Sequence, residues 1–202
     1  MPPTSSPGSY HPLIARLLAL HNNSEKYKTA AGSDARATLA ILRRGMQNRL
    51  SQITPVEMFP ALSQEFFLAD ESHELPGMMI ASLYANVHKS VIQTDNASLG
   101  RSLRELAKKR QSGSLELRVM AMLKADLEHL PGHLRQLLSL LETEEIGLDW
   151  NLLLLHVFNW EHPEGYVQKR IVRDYYSDPF YNPSNPLENE SGDMTTNSIE
   201  GI

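Results

Sequence analysis

The sequence predicts an all-α protein: a compact helical bundle fold of about eight or nine helices in two small packed lobes. Leu, Ala and Met fill positions that recur every three or four residues, and Val, Ile and Thr never gather into alternating runs. A chain of 202 residues with 41% apolar side chains can bury one substantial core, or two small ones that share an interface. The expected organisation is a flexible N-terminus over residues 1–10, an N-terminal helical lobe over 11–95, a C-terminal helical lobe over 96–178 and a disordered acidic tail over 179–202.

Pro12, a favoured first-turn residue, opens a helix that runs to about Leu20, and His21 to Thr29 reads as a loop. Ser33 and Asp34 start a second helix, in which Leu39, Ile41 and Leu42 lead to a basic last turn at Arg43 and Arg44 and to Gly45 as a C-terminal stop. A third helix is expected from Pro55 through Phe67, bent or split at Pro60. Leu75-Pro76-Gly77 reads as a break before a fourth, from Met78 to about Lys89. Asn96 to Arg110 carries Leu99, Leu103 and Leu106 on one side. After Ser112-Gly113-Ser114 a helix restarts at Leu115, with Val119, Met122 or Leu123, and Leu127 inward. Pro131-Gly132 then sets off another through Leu134, Leu137, Leu138 and Leu141. Asp149 can cap WNLLLLHVFNW, whose few polar faces place it at the centre of the bundle, and the last helix spans roughly Glu164 to Tyr176. Beyond Asp178 the chain is rich in Pro, Asn, Ser and acid, with almost nothing to bury.

The absence of cysteine removes disulfides, thiolate nucleophiles and the common structural zinc sites, and fits a reducing compartment. No apolar run approaches the roughly 18 residues that a bilayer span needs, so a soluble, cytoplasmic protein with no membrane partner is expected. Phosphate-cradling glycine loops, the dinucleotide fingerprint, H-E-x-x-H and the nucleophile elbow are all missing. Of the eight histidines only His129 and His133 stand four apart, and Pro131-Gly132 between them would break the helix that a metal-binding pair needs. Surface or capping roles are expected for both, and no metal. His156 reads as a hydrogen-bonded core or interface residue rather than a base. Glu144 and Glu145 lie in a polar run with nothing apolar to raise a pKa. The expectation is a protein that is not an enzyme and carries no cofactor.

A formal charge of -5 argues at first against a nucleic-acid partner, but the charge is unevenly spread. Lys and Arg number three against one acid over 1–33, thirteen against eleven over 34–135, and three against twelve over 136–202. Arg101, Arg104 and Lys108 fall at i, i+3 and i+7, a stripe about 10 Å long at the ordinary helical rise. Arg36 and Arg43 stand two turns apart on one face, with Arg44 beside them. Guanidinium forks suit phosphate oxygens, which they meet two at a time without losing charge. Trp150, Phe158 and Trp160 read as bundle packing and not as a base-stacking surface, so sequence-independent backbone binding is the nucleic-acid mode the residues support. The acidic last third would face away or compete for the basic faces. The same charged faces also suit plain solubility, or a helical scaffold or adaptor that binds acidic protein partners.

Several short segments, in this order and spacing, carry a resemblance. ARATLAILRRG, SLGRSLRELAKKR, LRVMAMLKAD, HLRQLLSLLE, LDWNLLLLHVFNW and QKRIVRDYY resemble the CasB family, the small subunit of the type I-E CRISPR Cascade effector. The similarity covers about Ser33 to Tyr176. It implies an all-helical fold and an antiviral-defence complex with crRNA, a large subunit, a backbone subunit and a second copy of the chain. The implied role is to steady the R-loop by holding the displaced DNA strand and supporting the crRNA–target DNA duplex, while base pairing reads the sequence. On the matching positions, Arg36, Arg43 and Arg44 correspond to an Arg-rich N-terminal helix and Arg101 to the arginine after the SLG turn. Arg118 and Lys124 correspond to basic positions on the next helix, and Arg135 to the arginine of HLRQLL. Gly100 is expected to let its helix approach a neighbour closely, Trp150 to anchor the C-terminal lobe, and Trp160 to serve lobe core or subunit contact. The stretch Glu105 to Gln111 is insertion-like and adds positive charge.

Overall fold

His11 and Thr29 fix where the chain first turns helical. In the computed structural model, which describes residues 10–26, 29–45, 47–53, 55–58, 61–62, 71–89, 91–110 and 113–177, α1 spans Pro12–Ser24 and α2 Ala30–Arg44. They are followed by α3 (Pro55–Met58), α4 (Glu74–Val87), α5 (Leu99–Arg110), α6 (Gly113–Lys124), α7 (Leu130–Thr143), α8 (Trp150–Phe158) and α9 (Tyr166–Tyr176). The fold is all-α, as the leucine periodicity predicts. The expected flexible N-terminus over 1–9, the helix beyond Met58 to Phe67 except Ala61 and Leu62, and the expected disordered tail lie outside the described residues.

Three boundaries differ from the sequence expectation, each for a local reason. The imidazole of His11 accepts from the N–H of Leu13 at 3.3 Å, and α1 continues through His21 to Ser24 in place of the expected loop. Its last turn is held by the Ser24 hydroxyl, which donates to the carbonyl of His21 at 2.7 Å. For α2 the cap is Thr29, whose hydroxyl accepts from Gly32 N–H at 3.0 Å, and not Ser33 or Asp34. Pro76 does not break α4: it lies in the first turn, where a missing N–H costs nothing. Gly45 does stop α2, but with φ of -67° it is right-handed; a Cβ there would stand 2.5 Å from the Met58 sulfur, so a larger residue would have to displace that side chain.

The centre of the bundle is α4, and not the WNLLLLHVFNW helix. Every residue from Pro76 to Ala85 is buried, and α1, α2, α7 and α8 pack around it. In α8, capped as expected by Asp149 at 3.0 Å from Leu152 N, Leu155 is 43% exposed. The buried side chains from Leu13 to Ile171 form one continuous cluster. Helices α5 and α9 cross closely at Gly100, where a Cβ would meet the Ile171 carbonyl at 2.5 Å.

A short extended pairing staples the segment before α5 to the one before α8. Thr94 donates to the carbonyl of Leu148 and Leu148 to that of Ile92, both at 3.0 Å. Asp149 accepts from Asn96 N–H at 2.9 Å, with Asn96 in the left-handed region at φ of 64°. Trp150 is fully buried beneath this staple. Its indole N–H donates to the Val91 carbonyl at 2.9 Å, and its ring meets Tyr84 of α4 edge-on at 5.1 Å. Trp160, 2% exposed, donates from its indole to Ala125 O at 2.9 Å and belongs to the core.

Candidate nucleic-acid interface

Two pairs of the sequence-selected arginines come together in recesses. The first recess holds Arg36 and Arg43 of α2 with Lys89 and His88 at the end of α4, and Ser24 and Glu25 at the end of α1. The two guanidinium groups are placed by backbone: Arg36 donates to Ser24 O and Arg43 to Ala85 O, each at 3.0 Å. His88 lies beneath them. Burial lowers its pKa first, and the nearby His21, Arg43 and Lys89 add to that against a bond to Ala85 O. Arg44 is exposed on the same helix but does not line this recess.

The second recess joins α6 to α7, with a volume of about 400 Å³. It is lined by Arg118, Arg135, Gln136, Ser139, Asn48 and Gly132 among others, and among the described residues no carboxylate lines it. Asn48 reaches it because the chain at Leu50 is tied to α7's approach: Leu50 N–H donates to Glu128 O at 2.9 Å and Ser51 N–H to the Glu128 carboxylate at 3.0 Å. Arg135 leans on Asn48 Oδ1 at 3.5 Å. Pro131 sits in the first turn of α7 and does not break it. His129 lies just ahead of that helix, its ring 2.7 Å from Asp126. Among the described residues, no three His, Asp or Glu side chains converge as a metal site.

The stripe on α5 is uneven. Arg101 and Lys108 are exposed and Arg104 is half-buried. Arg101 donates to Asn96 O at 3.2 Å, which holds it over the start of its own helix. The charge of the Glu105–Gln111 stretch turns toward the end of α7: Lys109 donates to Glu144 O at 3.1 Å and Arg110 pairs with the Glu144 carboxylate at 2.8 Å. Lys124 is exposed at the end of α6.

Three cations stand outside the set that the sequence suggests. Lys169, Arg170 and Arg173 of α9 line an open recess of about 450 Å³ with Tyr166 and Asp174. Their i, i+1, i+4 spacing is visible in QKRIVRDYY, but they lie in the acidic last third of the chain. His156, 5% exposed on α8, is buried as expected but is not hydrogen-bonded: neither ring nitrogen has a partner. Burial, with the charge of Arg170 adding to it, pushes its pKa down to about 4.

The family described as CRISPR-associated protein Cse2 matches residues 38–176 of this helical framework. The chain belongs to the Cse2 family. The Cse2 match takes in both arginines of the second recess and all three α9 cations, and leaves Arg36 outside. A Cse2 protein of Thermus thermophilus is 37% identical over 100 residues, 48% of this chain and 54% of that protein, so the chain matches about half of that relative's length. A crystal structure of a Cse2-family protein from the same organism superposes with a TM-score of 0.63 at 26% identity, covering 83% of this chain and 99% of that one. CasB of M. ruber gives 0.57 at 26% identity, over 80% of this chain and 92% of that one. CasB of Thermobifida fusca gives 0.61 over 84% and 100%, and at 23% identity speaks for the fold alone. Among the described residues no helix is long and apolar enough to cross a membrane.

Proposed function

We propose that this Cse2-family chain is a non-catalytic small subunit of a type I-E Cascade surveillance complex in antiviral defence. In that role it steadies the R-loop by sequence-independent contacts to nucleic-acid backbones. The observation that carries this reading is the second recess. Arg118 and Arg135 come from different helices to one groove that no carboxylate among the described residues lines, which suits a phosphate held between two guanidinium forks. The recess of Arg36 and Arg43 offers a second contact, tempered by Glu25. The RNA and DNA partners are the crRNA–target DNA duplex and the displaced DNA strand, with base pairing reading the sequence and this subunit reading charge and shape. Contacts to the large subunit, the backbone subunit and a second copy fall to exposed apolar residues such as Leu117 and Met120, 73% and 37% exposed and one turn apart on α6.

The test is fluorescence-anisotropy binding of single- and double-stranded DNA across a salt series. Wild type is compared with a variant carrying Arg36→Ala, Arg101→Ala, Arg118→Ala and Arg135→Ala, with its fold checked by circular dichroism. Binding by the wild type is expected to be independent of sequence and to fall with salt, by about 0.9 in log K per log salt for each duplex phosphate neutralised. The variant is expected to bind at least tenfold more weakly, with a shallower salt slope. Equal binding by both proteins would remove these arginines from the contact surface. Binding of polyglutamate as tightly as DNA would favour the alternative reading, a helical adaptor for acidic proteins.

A further inference from the structure

We infer that the outer face of α9 is a separate site for single-stranded nucleic acid, where Tyr166 stacks on an unpaired base and Lys169, Arg170 and Arg173 hold the adjoining phosphates. This rests on the proposal that the chain binds nucleic acid, and adds to it a separate site and a base-stacking contact.

Residues 136–202 hold only three Lys or Arg against twelve acids, and all three are Lys169, Arg170 and Arg173. A solvated helix in an acidic segment would be expected to pair its cations with those acids. Here it does not: among the described residues no carboxylate lies within ion-pair distance of any of the three. The nearest acid in sequence, Asp174, accepts from the Ser98 hydroxyl at 2.5 Å, which turns one of its oxygens toward the start of α5. The three side chains line one recess with Tyr166 and Asp174, three cations against one carboxylate.

Tyr166 gives this site its selectivity. The residue is 41% exposed at the start of α9, one turn from Lys169 and Arg170 and two from Arg173. His162 meets it edge-on at 4.8 Å. Gly165 at φ of 57° makes the left-handed turn that brings His162 and Tyr166 together. Cations in a row attract any phosphate backbone, but a duplex keeps its base faces stacked inside. An exposed aromatic ring at the end of the row adds affinity only for a strand whose bases are free. The face is also mechanically firm, because α9 is seated on α5 at Gly100 and buries Val167 and Ile171.

The experiment uses the full chain, with labelled oligothymidine and a labelled duplex of the same length, by anisotropy across a salt series. Tyr166→Leu is expected to weaken oligothymidine binding about tenfold and to leave duplex binding unchanged, while Tyr166→Phe keeps both. Lys169→Ala, Arg170→Ala and Arg173→Ala together should make the single-strand salt slope shallower by about 0.7 for each phosphate that is no longer neutralised. Circular dichroism checks the fold of each variant. Wild-type oligothymidine binding by both α9 variants overturns the inference, and if the quadruple arginine variant has meanwhile stopped binding, the proposed function stands without it. A wild type that binds no oligonucleotide overturns both. An equal weakening of duplex and single-strand binding in Tyr166→Leu overturns the strand preference, and tighter binding to polyglutamate than to oligothymidine overturns the inference by assigning the face to an acidic protein.

Discussion

His156 is buried on α8, and both ring nitrogens go unbonded. Burial, with the nearby Arg170 adding to it, holds its pKa at about 4, below the ordinary value of 6.5. Above pH 6.5 the ring is neutral in the folded and unfolded chains alike, and it contributes no pH dependence. Below 6.5 the unfolded chain takes up a proton that the folded chain refuses. Stability is therefore lost as pH falls from 6.5 toward 4 and levels off below that, by about 3 kcal/mol in all. Urea unfolding at about pH 7 and about pH 4.5 should show a drop for the wild type about 2 kcal/mol larger than for His156→Leu, with carboxylate titration common to both. Equal drops would clear His156 of the effect. The burial of this histidine is legible in LLLLHVFNW. Its lack of a hydrogen bond is not, because partners are supplied by whichever helices pack alongside.

At the scale of elements, the staple between the segment before α5 and the start of α8 concentrates on Asp149. Its carboxylate accepts from Leu152 N–H at 3.0 Å, Asn96 N–H at 2.9 Å and Gln93 Nε2 at 3.2 Å, joining a helix cap to a turn far away in sequence. Asp149→Ala removes the cap, worth about 1 kcal/mol, and leaves the Asn96 N–H without its acceptor, for a total cost of about 2 kcal/mol. Asp149→Asn, which keeps one oxygen, should cost less than Asp149→Ala in the same urea titration, and identical costs would mean that the staple bears little of the stability. The cap half of this device can be read from Asp149 standing before an apolar run. The half that reaches Asn96 cannot, since it depends on a tertiary pairing with no local periodicity. Helix boundaries follow the same rule. Leucine spacing places α5, α6 and α7, whereas the roles of Thr29 and Pro76 escape it because a cap or a first-turn proline is defined by where the backbone bonds begin. The candidate site divides likewise: Arg36 and Arg43 share a helix and are legible as a pair, but Arg118 and Arg135 meet only once α6 packs on α7.

For the whole molecule, the formal charge of -5 is the sum of two unequal parts. Asp178, Glu188, Glu190, Asp193 and Glu200 are five acids beyond Ser177, with no Lys or Arg among them, so residues 1–177 carry 19 cations against 19 acids. The part of the chain that holds both arginine recesses and the α9 stripe is thus formally neutral, and the opposing field comes from the last 25 residues, attached directly after α9. A chain of carboxylates tethered there lowers the local concentration of any polyanion, whatever shape it takes. Ending the protein at Ser177 retains all of α9, including the bond from Ser177 N–H to Arg173 O at 2.8 Å, and circular dichroism checks the fold of the shortened chain. DNA affinity should rise roughly three- to tenfold at about 0.05 M salt and converge with that of the full chain near 1 M, where charges are screened beyond about 3 Å. Because the effect is a field and not a contact, the gain should be the same for any base sequence and should be largest in the association rate. Affinities that coincide at every salt concentration would mean that the acids never come within a Debye length of the recesses, and the basic faces would then act unopposed despite the net charge.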